Sequence, residues 1–448
     1  MKYGIVGGGI LGLALAYELS KKGQRVVIFE GKDKPGGLLQ FIQVDGAWID
    51  KYYHCILAGD TDLLSLIDEI GLRNRVRFAP AKQGVYRNGR LYSMASGKDF
   101  LLFPPLSVIE RVRLGLTILR ALTINDPDAV ESVGVEDWLV GLGGRGVFEK
   151  LWKPLLKAKF DANYQLTPAT YIWSRLKRTT STGAATGRAD QQGYFVGSYK
   201  TLVDRLVEKI EATGSHIRCG ARVEQIVVED GRATGIVVDG EHVALDAVIA
   251  TTPLPVLHQL LPEPERARLQ LPPSTEFLGV VCGLLLLDRG LSPYYTLNIA
   301  DDSIPFTGLI ETTNTIAPEH VGGYHLVYLP RYVTRTSEYL KLSEEELKAL
   351  YLEHLGRMFA EFRPTWVKHA FVFRERFVEP LHQIGRPRPT VPFTTAVDGL
   401  FVVNNGQIYP ELTNCQASVR HAQRALPTLL AYRPALAPER PSVLAGAH

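Results

Sequence analysis

Cysteine is scarce in this 448-residue chain: Cys55, Cys219, Cys282 and Cys415 stand far apart. There is no C-x-x-C pair and no mixed Cys/His cluster, which excludes the spacing of a structural zinc site or a disulfide framework. No metal is therefore expected, and the thiols read as reduced and buried in a cytoplasmic protein. No run of about 18 apolar residues exists, so no transmembrane helix is expected. The densest apolar stretch, Phe277 to Leu287, reads as a buried strand. The apolar N-terminal stretch Tyr3 to Leu15 holds five glycines and lacks a small-residue cleavage site, unlike a signal peptide. Neither sign of charge dominates, with 50 Lys+Arg against 47 Asp+Glu, so no nucleic-acid partner is expected. What is present is ordinary for folded protein: 46% hydrophobic and 22% charged residues. The length is roughly two to four times that of a usual domain, so more than one core is expected.

The strongest signal lies in the first forty residues. An apolar strand, Lys2 to Val6, runs into Gly7-Gly8-Gly9-Ile10-Leu11-Gly12, which satisfies G-x-G-x-x-G. An amphipathic helix, Leu11 to Lys22, ends at Gly23, and a second strand, Arg25 to Phe29, ends at Glu30. This is the strand-turn-helix-strand setting of a dinucleotide site. Gly7 permits the tight turn, Gly9 lets backbone approach a pyrophosphate, and Gly12 lets helix and strand pack closely. The helix start at Ile10 and Leu11 offers free N–H groups and a partial positive charge to phosphates. Glu30 is placed to accept from ribose hydroxyls.

The continuation Gly31-Lys32-Asp33-Lys34-Pro35-Gly36-Gly37-Leu38 resembles the flavoprotein amine oxidase and protoporphyrinogen oxidase superfamily. That superfamily is related to phytoene desaturases and UDP-galactopyranose mutases. The resemblance implies FAD rather than NAD, with Gly36 and Gly37 close to the pyrophosphate. Many relatives carry Arg or Lys where Leu38 stands, which leaves Lys32 as the cation that could compensate. Two further segments extend the resemblance, Gly193 to Leu206 with the strands after it, and Gly399 to Ser418. It implies that Val223 offers its backbone to adenine. It also implies that Asn405, Gly406, Thr413, Asn414 and Cys415 lie near the flavin, where a helix start can stabilise negative charge on the reduced ring. Asn404-Asn405 replaces the usual Gly-Asp or Gly-Glu. Cys415 does not match the position of covalent attachment, so non-covalent FAD is expected.

The implied fold is α/β plus α+β. A Rossmann-like, glutathione-reductase-like FAD domain comprises residues 1–75, 191–261 and 379–432. A discontinuous substrate domain comprises 76–190, largely helical, and 262–378, and a loose tail occupies 433–448. Ser343 and Glu346 fit a capping box ahead of a helix.

The implied chemistry is removal of a hydride from a C–N or C–C bond of a small or lipophilic substrate, with oxygen or another acceptor taking the electrons. Tyr53, His54 and Tyr328 are the candidate catalytic residues. His54 ends Asp50-Lys51-Tyr52-Tyr53-His54 and is suited to orient substrate or to acid/base work near neutrality. Arg331, Tyr332, Glu311 and Asn314 are candidates for the cavity wall. An alternative is a mutase resembling UDP-galactopyranose mutase, with Lys153, Lys157, Lys159, Arg175, Lys177 and Arg178 as material for a diphosphate clamp. A second alternative is a flavin-binding protein without turnover. Phe100 to Leu106 and Ile109 to Leu122 interleave apolar residues with arginines. They read as a core-facing helix in preference to a peripheral membrane surface. The substrate's identity and the oligomeric state stay open.

Overall fold

A computed structural model describes residues 1–94, 96–186, 191–269, 276–384 and 392–434. Strands β1 (Lys2–Val6) and β2 (Arg25–Phe29) lie parallel, joined through helix α1 (Ile10–Lys21). Three distant pieces complete a five-stranded parallel sheet. Its order is His216–Arg218, β2, β1, Ala247–Ala250 and Leu400–Val402. A parallel sheet needs cover on both faces. On one face α1 and helix Lys200–Glu211 pack around Leu13, Leu15 and Ile249. On the other, an antiparallel layer of Val223–Glu229, Arg232–Val238 and Glu241–Ala244 packs Ile226 and Ile236 against Val248.

A second sheet has seven strands, with Phe277–Leu287 between Val367–Pro380 and His325–Val333. Phe277–Leu287 is buried at every position, as a run with no charged side chain demands. The stretch 76–190, expected to be largely helical, also supplies two strands to this sheet, Gln83–Arg87 and Arg90–Ser93. Its helices include α2 (Val108–Thr123) and α3 (Thr170–Thr186). Helix Glu344–Met358 opens on the expected capping box. Ser343 Oγ accepts from Glu346 N at 3.2 Å and Glu346 Oε2 accepts from Ser343 N at 2.7 Å. The final helix, α4 (Cys415–Ala431), packs along α1. Of the expected tail, 435–448 lie outside the described residues.

The reading of Ile109 to Leu122 as core-facing holds for one side of the helix only. Leu114, Thr117 and Ala121 face inward, whereas Val108, Ile109, Val112, Leu116 and Leu119 face out. Among the described residues no helix is long and apolar enough to cross a membrane, and no group of three or more His, Cys, Asp or Glu could hold a metal.

Candidate active site

The glycine turn is held from below. Gly7 has φ +111°, and its N–H donates to the Phe29 carbonyl at 2.9 Å. Thr251, just past the strand Ala247–Ala250, sets its Oγ1 2.9 Å from Val6 O and 3.0 Å from Gly7 O. A Cβ on Gly12 would fall 2.2 Å from Gly7 O, so glycine there is a packing requirement. At Gly9 the reason differs. A Cβ would meet only Gly37 Cα, at 3.9 Å, so nothing in the protein forbids a side chain. The space over Gly9 is a cradle. Gly36 donates to Gly8 O at 2.8 Å, and a Cβ on Gly37 would sit 3.0 Å from Gly9 Cα, so the two glycine turns meet backbone to backbone.

α1 starts at Ile10 and Leu11 with no side-chain cap and no acid in its first turn. The Thr252 hydroxyl, beside Gly7, is buried without a hydrogen-bond partner. An uncapped helix start, an open cradle and an unpaired buried hydroxyl together fit an anionic dinucleotide. Glu30 closes the far end. Its Oε2 accepts from Gly8 N and its Oε1 from Lys32 N, each at 2.8 Å. Ala221 N donates to Glu30 O at 2.9 Å and Gly220 N to Lys32 O at 2.7 Å, which brings Val223 alongside. Arg222 lies against Gly31. Lys32 Nζ pairs with Glu375.

The last parallel strand leads into the Asn-rich loop. Val403 N donates to Ala250 O at 3.0 Å, and Asn404 Nδ2 donates to Thr252 O at 3.1 Å. Asn404 Oδ1 accepts from Gly406 N at 3.0 Å, which shapes the turn through Asn405. After Thr413, Asn414 caps α4 by accepting from Ala417 N at 3.0 Å, and Cys415 is the first helical residue. Burial pushes the Cys415 thiol up to about 12.

This loop meets the segment 50–55, where Cys55 lies near Cys415 and desolvation raises its thiol pKa. His54 Nε2 lies 3.0 Å from Leu38 O, and its ring meets Tyr199 edge-on at 5.2 Å. Burial lowers the imidazole to about 4, in place of the expected titration near neutrality, and the Leu38 bond only partly opposes this. His54 is thus neutral, with Nε2–H donating. Tyr53 and Tyr332 hydroxyls are 3.1 Å apart. Tyr328 is buried against the Tyr53 ring and donates to Asp50 O at 2.7 Å. Burial raises the Asp50 carboxyl to about 7, against the hydrogen bonds it accepts from Tyr199 N and Ser198.

Lys159 Nζ sits 3.8 Å above the Tyr332 ring centre and 3.1 Å from Glu379. Arg175 stands beside Tyr171, with Tyr53 and Tyr332 also raising its pKa. A small neighbouring cleft is lined by Phe160, Tyr171, Glu379, His382, Tyr409 and Thr413. The structure therefore gathers Tyr53, His54, Tyr332 and Lys159. It leaves other candidates apart from this cluster. Glu311 accepts from Leu291 N and Ser292 N, both at 2.9 Å, and Asn314 donates to Ser292 O and Tyr294 O, so both brace a turn. Arg331 donates to Pro305 O. The expected diphosphate clamp is largely paired off. Lys153 holds Glu149, Lys157 holds Asp302, Lys159 holds Glu379 and Arg178 holds Asp60, while Lys177 donates to Leu122 O. Tyr171, Tyr199, Thr251, Thr252 and Glu379 carried no spacing signal.

The profile of the family described as flavin containing amine oxidoreductase matches residues 11–379. Mitochondrial protoporphyrinogen oxidase of Nicotiana tabacum is 24% identical over 437 residues, covering 82% of this chain and 83% of that protein. A zeta-carotene desaturase of Synechocystis is 24% identical over 298 residues, 59% of this chain and 60% of its own. An oxidoreductase from Methanosarcina mazei has a similar fold, with TM-score 0.74 at 20% identity over 95% of this chain and 100% of that one. The protein is an FAD-dependent oxidoreductase. The chain belongs to the flavin-containing amine oxidoreductase family.

Proposed function

We infer that FAD is held non-covalently along the groove from Glu30 to the Asn405–Cys415 loop. The residues 1–75, 191–261 and 379–432 would carry the cofactor, and 76–190 and 262–378 would cover the substrate. Glu30, Gly31 and Val223 take the adenosine end. Gly7, Gly9, Gly12, Gly36, Gly37 and the N–H groups of Ile10 and Leu11 take the pyrophosphate. Asn405, Gly406, Thr413, Asn414 and Cys415 take the ring end. FAD bound there would accept a hydride from a C–N or C–C bond of the substrate and release electrons to oxygen or another acceptor.

The observation that carries this reading is the cluster of Tyr53, Tyr328 and Tyr332, together with four clamp candidates, Lys153, Lys157, Lys159 and Arg178, already held by carboxylates. A mutase clamp needs those cations free for a diphosphate. Tyr53 and Tyr332 orient the substrate through their paired hydroxyls, and the enclosing aromatic wall excludes water. His54 keeps its proton on Nε2 and fixes the segment that carries Tyr53. Tyr328 does the same from below through Asp50 O. Arg175 offers charge to an acidic edge of the substrate. The names of the two curated relatives point the same way, toward a large apolar substrate. Anaerobic mixing of the purified protein with a porphyrinogen, a polyene or an alkylamine tests this. Flavin bleaching by one of the first two is expected. Bleaching by the amine alone, or activity only after dithionite reduction with a sugar nucleotide, would overturn it.

A further inference from the structure

We propose that α2 and the turn before it form a docking face for an anionic lipid bilayer. The observation is a continuous apolar stripe with nothing packed on it. Val108, Ile109, Val112, Leu116 and Leu119 are 73, 67, 59, 58 and 62% exposed. At about 100° per residue they fall on one arc of the helix, while Leu114, Thr117 and Ala121 on the opposite side are fully buried. Leu101 and Leu102, exposed on the preceding turn, extend the stripe, and Leu101 comes within 3.6 Å of the position a Cβ on Gly115 would take. Of the nine large apolar side chains exposed most among the described residues, seven lie on this one face.

Charge identifies the occupant. Arg113 and Arg120 are exposed and follow Ile109 and Leu116 by one turn, so both edge the same side of the stripe. Arg111 edges the other. The sole acid of α2, Glu110, is turned away and neutralised by Lys150 at 2.8 Å. An apolar stripe bordered by arginines, with no carboxylate on the face, suits a helix lying in the plane of an anionic interface. A second copy fits poorly. Two-fold packing through the stripe would set the arginines of both copies together with no acid between them. The location also matters for the tyrosine cluster. The end of α2 is tied to α3, because Trp173 Nε1 donates to Ile124 O at 3.0 Å and Lys177 Nζ to Leu122 O at 2.7 Å. The same helix α3 carries Tyr171 and Arg175, so one helix links the docked face to the cluster of Tyr53 and Tyr332.

Flotation of the full chain with phosphatidylcholine vesicles, with and without phosphatidylglycerol, tests the proposal. The protein is expected to float with the phosphatidylglycerol vesicles and far less with phosphatidylcholine alone. Leu116→Asp/Leu119→Asp should cut the floated fraction about tenfold or more, with the melting midpoint and the flavin spectrum unchanged, because both side chains are already exposed. Should that variant fold poorly, Arg113→Ser/Arg120→Ser provides the second measurement and should abolish the preference for phosphatidylglycerol. The proposal is overturned if the unaltered protein stays behind with anionic vesicles or if neither variant changes its flotation. It is equally overturned if the protein is a dimer that Leu116→Asp/Leu119→Asp converts to a monomer.

Discussion

His54 and Leu38 are joined by a 3.0 Å hydrogen bond from imidazole Nε2 to the main-chain carbonyl. It ties the segment carrying Tyr53 to the Gly36-Gly37 turn, which in turn lies on Gly9. His54→Ala leaves the Leu38 carbonyl without its donor, at a cost of about 1–3 kcal/mol. We expect weaker FAD retention in a fluorescence titration of the refilled apoprotein. His54→Gln supplies a donor again and should restore most of it. Equal loss of turnover in both variants with unchanged FAD affinity would instead make His54 a proton-transfer residue.

Gly12→Ala places a methyl group 2.2 Å from the Gly7 carbonyl oxygen. Helix and turn must separate, and overpacking of this kind costs about 1–3 kcal/mol. The variant should purify with little or no yellow colour and melt lower than the parent. Gly9→Ala should fold normally, because only Gly37 Cα is near, yet bind FAD poorly. Absorbance at the flavin band together with a melting curve separates the two cases.

Titration behaviour follows from burial with opposite signs at two sites. His54 falls from its ordinary 6.5 to about 4. Between those values the unfolded chain binds a proton that the folded chain does not, so the contribution present above pH 6.5 is lost as pH falls toward 4. Asp50 rises from 3.8 to about 7. Here the folded chain holds the extra proton, and stability present at low pH is lost as pH climbs through 7. Asp50→Asn should therefore gain on the parent as pH goes from 6 to 8 in urea melts. His54→Gln should gain on it as pH goes from 6.5 to 4. Parallel curves for variant and parent would refute either assignment.

Glu379→Gln strands the Lys159 ammonium, whose carboxylate partner is 3.1 Å away and whose side chain is only 20% exposed. The expected loss is about 2–3 kcal/mol in urea unfolding, below the value for a fully buried pair. Lys159→Met/Glu379→Leu should recover most of it, because both charges leave together. A simple sum of the single-variant losses would show that the pair is not coupled.

The glycine turns and the strand Phe277–Leu287 were legible in sequence because their constraints are local. Gly12 is demanded by a backbone oxygen five residues away, and Phe277–Leu287 has no charged side chain to expose. The tyrosine cluster was legible only in part. Tyr53 and Tyr332 were candidates, whereas Lys159 was read as clamp material and Tyr171 and Glu379 arrive from separate elements that no spacing links before the sheets form. The α2 face failed for another reason. Periodicity identifies which residues are apolar but not which side of the helix the neighbours cover, and the larger apolar set was left outside.

The strand Leu400–Val402 and helix α4 have a consequence for biosynthesis. Both belong to the groove we assign to FAD, and both follow the Gly7 turn by more than 390 residues. The Gly7 turn has to wait for them while all of the intervening chain is synthesised. Coenzyme capture is accordingly a late event, and a ribosome that stalls before residue 400 releases a chain with half a binding cleft and an unprotected sheet edge, a natural substrate for quality-control proteases.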